Sequence, residues 1–134
     1  MKKITMILAI LMVVIGVHAQ NKYKHEDFMV EKQDSTYEIT YVNCRYVNID
    51  IIKKVYLNQQ EFDEFKDGFI RSVSQDVTYV NGLGTVKTSK LLIESFDDLE
   101  HVVIRPDTKR IRVFYTFMPK EALEFSLFLQ HSGW

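Results

Sequence analysis

One stretch, Asn58–Val73, restricts the possible folds of this chain more than any other. Asn58 can accept from the free backbone N–H groups of a helix start, and Glu61 stands three residues on, where its carboxylate can reach back. Leu57 and Phe62 occupy the two positions of a hydrophobic staple across that cap. Phe62, Phe65, Phe69, Ile70 and Val73 then share one helical face. Glu61, Asp63 and Glu64 lie at the positive end of the helix dipole, and Arg71 lies at the negative end. A helix with so apolar a face needs a second layer to cover it.

The remaining segments supply that layer as strands. Tyr37, Ile39 and Tyr41 alternate with Thr36, Glu38 and Thr40, the period-two pattern of a half-buried strand. Val47, Ile49 and Ile51 repeat the pattern, with a change of phase near Asn43–Arg45 that marks a turn or bulge between two strands, or one bent strand. Asn81-Gly82 reads as a tight hairpin turn joining strands at Asp76–Val80 and Thr85–Glu94. Ser95–Glu100 reads as a loop or a single helical turn. His101–Arg105 and Arg110–Phe117 read as a second hairpin turning at Pro106, Asp107 and Thr108. In the last segment, 120–131, Leu123, Phe125, Leu127 and Leu129 alternate, which favours a strand over the helix that Pro119 and Glu121–Glu124 would also suit. The expected fold class is α+β, with one amphipathic helix (about 58–73) packed on a largely antiparallel, curved β-sheet. Residues 20–34 read as a polar N-terminal arm and residues 35–134 as a single α+β domain.

Ahead of these elements stands an export signal, Met1–Ala19. Lys2 and Lys3 precede the apolar run Ile4–Val17, and Val17-His18-Ala19 closes it, which places cleavage before Gln20. The layout resembles that of bacterial secretory signals. The run holds 14 residues, fewer than the roughly 20 a membrane-crossing helix needs, so no stable span is expected after cleavage. The protein is therefore expected to be exported, either periplasmic or secreted. Removing 19 of 134 residues leaves 115, enough for one core. Losing Lys2 and Lys3 takes the net charge from −1 to −3 with histidine neutral, which disfavours nucleic acid as a partner. Cys44 is the single cysteine, so no internal disulfide supports the fold, and its apolar neighbourhood favours burial.

Familiar catalytic motifs are missing: no Gly-x-Ser-x-Gly, no His-Glu-x-x-His, no phosphate-binding glycine loop, no Cys-x-x-Cys. Two clusters remain as candidates. Arg105, Lys109, Arg110 and Arg112 give the second hairpin a cationic patch suited to phosphate, sulfate or carboxylate groups. Asp97, Asp98, Glu100 and His101 put carboxylates beside an imidazole, the donor types for a divalent metal or an acid–base pair. His25-Glu26-Asp27 has similar donors, but on the arm, where ligands are poorly held. The expected function is a small non-catalytic binding module of the envelope or extracellular space, with an envelope protein or glycan as partner and no cofactor. The alternative is a small exported hydrolase, metal-assisted at the Asp97–His101 cluster.

Overall fold

The computed structural model describes residues 21–42, 52–97, 101–106 and 114–134. The export signal, Cys44, the 47–51 alternation, and Lys109, Arg110 and Arg112 lie outside these residues, as do Asp98 and Glu100. The fold is α+β with two antiparallel sheets and two helices. Strands β1 (Lys22–His25), β2 (Phe28–Gln33), β3 (Thr36–Val42) and β4 (Ile52–Asn58) form the first sheet in chain order. Helix α1 (Gln59–Val73) follows. Strands β5 (Tyr79–Val80), β6 (Leu83–Lys87), β7 (Leu91–Phe96), β8 (Val102–Pro106) and β9 (Tyr115–Phe117) form the second sheet, again in order, and α2 (Pro119–His131) follows it. Among the described residues no helix is long and apolar enough to cross a membrane.

Helix α1 begins where its cap residues place it. The Asn58 side chain accepts from the Glu61 amide at 2.8 Å, and the Glu61 carboxylate accepts from the Asn58 amide at 2.9 Å, a complete capping box. Phe62, Phe65 and Phe69 are fully buried. Gly68 lets the helix approach the second sheet closely, since a Cβ there would lie 2.9 Å from Val86 Cγ1 and 3.0 Å from Ile93 Cδ1. At Asn81-Gly82 both residues have positive φ, +53° and +80°, as a two-residue turn between β5 and β6 requires.

Four expectations need correction. The fold has two sheets, because strand periodicity shows which face is buried but not which strands are neighbours. Residues 22–33 are not an unpacked arm. They form the β1–β2 hairpin, with Tyr23 partly buried against the core and Phe28 and Val30 fully buried. The run 85–94 is not one strand either. The chain reverses at Thr88–Lys90, where Thr88 Oγ1 donates to the Leu91 carbonyl at 2.7 Å and accepts from its amide at 3.2 Å. Finally, the last segment is helical. Pro119 starts α2, and the helix buries Ala122, Phe125, Ser126 and Leu129 on one side while Leu123 and Leu127 face solvent. The apolar residues do spread around this helix, as the alternation implies, and the structure accommodates them by exposing two leucines.

The core is an aromatic junction of four elements. Phe117 of β9 stacks on Phe125 of α2 at 5.6 Å with planes 3° apart. Phe28 of β2 and Phe69 of α1 each meet both rings edge-on, at 4.7 to 5.0 Å. At the other end of α1, Phe62 stacks on Tyr37 at 3.8 Å, and Trp134 packs against both.

Helix and strand place residue 127 oppositely, which gives a direct test. Phe125→Ala should cost about 3–5 kcal/mol in chemical denaturation, while Leu127→Ala should stay within about 0.5 kcal/mol. Equal losses at the two positions would return the segment to a strand.

Candidate functional site

Of the cationic hairpin, only Arg105 is described, and its charge is already engaged. Its Nε donates to Glu94 Oε1 at 2.5 Å, with both side chains mostly buried. The register explains the pair: Arg105 lies opposite Leu92 and Glu94 opposite Val103, so the two are diagonal neighbours on one face. Of the acidic cluster, Asp97 and His101 are described, and their surroundings differ. The Asp97 amide donates to the Gly82 carbonyl at 3.1 Å, and its carboxylate lies against that turn. The His101 ring packs on Phe96 at 4.6 Å and borders a cleft of roughly 280 Å³ with Ser95.

A second cationic feature lies along β4. Val55 and Leu57 point into the core, while Lys54 and Tyr56 point out. Tyr56 is 50% exposed and Ile52 is 60% exposed. A shallow groove of roughly 390 Å³ runs beside them, with Lys53, Lys54 and Lys90 on its walls and Pro106 at its end. Lys90 Nζ donates to the Tyr56 carbonyl at 2.5 Å and lies 3.5 Å from Glu61. Lys54 lies 3.7 Å from Glu38. Among the described residues, no carboxylate lies within ion-pair distance of Lys53.

Another group of polar side chains lies between β1 and the start of α2. Sequence reasoning found its His25 and Glu26 but set them aside as part of an arm that holds ligands poorly, and it missed Glu121. Glu121 stands in the first turn of α2 and is buried, and its Oε2 accepts from the Tyr115 hydroxyl at 2.5 Å. His25, the last residue of β1, brings Nδ1 to 2.8 Å from the same oxygen, and its Nε2 lies 3.9 Å from Glu124 Oε2. The Nδ1 contact is off the line that hydrogen bonding needs, so this buried nitrogen has no hydrogen-bond partner. Glu26, with φ +50° in the β1–β2 turn, completes the group. Together with Lys120 and Met118, these residues surround an open hollow of roughly 310 Å³. The sequence does hold a signal for this site: Tyr23 and His25 alternate with Lys22 and Lys24, continuing into Phe28 and Val30 across a two-residue turn. Nothing in the sequence links that hairpin to Glu121, 96 residues further on.

The carboxylates reach a neighbouring tyrosine. Tyr23 is pushed up from 10.0 to about 12, chiefly by burial, then by the charges of Glu124 and Glu121. Burial likewise raises Tyr41. Compared with known proteins, the chain matches no family model, no curated protein and no solved structure.

The raised Tyr23 value favours the neutral phenol in the folded state. Its contribution to stability is therefore whole below pH 10 and is lost as pH rises from 10 towards 12. An ultraviolet titration of tyrosinate should show one fewer late-ionising phenol in Tyr23→Phe than in the wild type. Loss of a phenol that ionises near 10 instead would contradict the burial of Tyr23 beside the two glutamates.

Proposed function

We propose that the protein is an exported, non-catalytic binding module that engages an envelope protein or glycan through the outer face of β4. The observation that carries this reading is Tyr56, half-exposed on that face, with Ile52 and Lys54 beside it and Lys53 and Lys90 lining the adjoining groove. A planar ring next to a cation suits acidic sugars and acidic protein surfaces, because the ring gains contact area while the ammonium pairs with the anion. Arg105 is held by Glu94, so β4 is the better described surface for this role than the start of the cationic hairpin. The leader-like segment Met1–Ala19 supports the export part of the reading.

Pull-down from envelope extract tests the binding surface. Tyr56→Ala and the pair Lys53→Glu, Lys54→Glu should each weaken retention by about tenfold or more, as loss of an interface anchor does. Arg110→Glu with Arg112→Glu is the parallel arm for the hairpin. Retention unchanged in the β4 variants would remove β4 from the reading. Mass spectrometry of the exported product should place its first residue at Gln20, and a product that retains Met1 would defeat the export assignment.

A further inference from the structure

The group between β1 and α2 carries an inference separate from the β4 surface. We propose that His25, Glu26 and Glu121 form a binding site for a zinc-class divalent cation. Each offers one ligand atom, and the three atoms lie within 4.8 Å of one another. Neighbouring ligands around a tetrahedral zinc, at bond lengths of about 2.0–2.2 Å, stand roughly 3.3–3.6 Å apart. Small side-chain rotations therefore close the triangle around an ion.

Four observations favour a cation here over a plain ion pair. First, His25 Nδ1 is buried and has no hydrogen-bond partner, although a carboxylate oxygen lies 2.8 Å away. A bound cation would give this nitrogen the partner that the protein does not supply. Second, both inner ligands have outer partners of the kind that orient metal ligands. Tyr115 holds Glu121 through its hydroxyl, and Glu124 Oε2 stands 3.9 Å from the far nitrogen of His25, a carboxylate at ion-pair distance on the side away from the site. Third, the carboxylates outnumber the cations. Glu26, Glu121 and Glu124 border the hollow with Lys120 as its one lysine. Fourth, the ligands stand on held backbone. The Val42 amide donates to the Asp27 carbonyl at 3.1 Å, which fixes the turn bearing Glu26, and Glu121 belongs to the first turn of a packed helix.

The donor set selects the ion. One imidazole and two carboxylates suit zinc, whose fourth position here opens to solvent through the hollow. Calcium needs six to eight oxygen ligands, more than these side chains supply.

The test uses the full chain, stripped with a chelator and titrated with zinc chloride by calorimetry. One ion per chain should bind, zinc should raise the melting temperature, and cobalt substituted at the site should give the visible absorption of a tetrahedral centre. His25→Ala and Glu26→Gln should each weaken binding by about tenfold or more. Glu26 is exposed, so the Glu26→Gln variant should fold normally, with circular dichroism as the check. His131→Ala, which removes an exposed histidine at the far end of α2, should bind as the wild type does. No saturable zinc uptake, uptake retained in both site variants, loss of uptake in His131→Ala, or binding of calcium in place of zinc would each overturn the proposal.

Discussion

The stacked pair Phe117–Phe125 is the contact on which the rest of the structure depends. Phe117 belongs to the last strand of the second sheet and Phe125 to the helix that follows it, and the connection between them is only a few residues long. Phe28 brings the first sheet to this pair, and Phe69 brings α1. Four elements thus share one apolar junction, with edge-on geometries that align the positive rim of one ring with the negative face of the next. With no disulfide expected from a lone cysteine, burial of these rings is the main force joining the two sheets.

That junction also explains how a glutamate comes to be buried beside it. Packing Phe125 and Ala122 against the core carries Glu121, on the same helix face, inside as well. A buried carboxylate is costly unless donors and positive potential surround it. Tyr115 supplies a hydroxyl and the first turn of α2 supplies the positive end of a helix dipole. Tyr115 itself packs edge-on against Phe117 at 4.8 Å, so the polar group and the aromatic junction share a wall. The chemistry of the hollow is therefore set by core packing and does not depend on a loop.

What could be read from the chain follows from how local each signal is. Helix α1 was legible because its cap, staple and periodicity all lie within 17 consecutive residues, Leu57–Val73. The Asn81-Gly82 turn was legible for the same reason. Helix α2 was not, because alternate leucines mimic a strand, and only the finished core shows that Leu123 and Leu127 can be left in solvent. The β1–β2 hairpin was hidden by its polar faces, and with it the position of His25. The charge on Arg105 seemed available until the pairing of β7 and β8 put Glu94 diagonally across from it. In each miss, the deciding partner lay on another element.

In both sheets every strand pairs with its neighbour in the chain, so each is a plain meander without crossovers. Short loops cost little entropy to close, and pairings between adjacent segments can form before distant parts of the chain meet. The two meanders can therefore assemble separately, each in its own half of the polypeptide. Contacts such as Phe28 with Phe117 and Phe125, which join the two meanders, close far longer stretches of chain than any pairing within either one, and so carry the larger entropic cost.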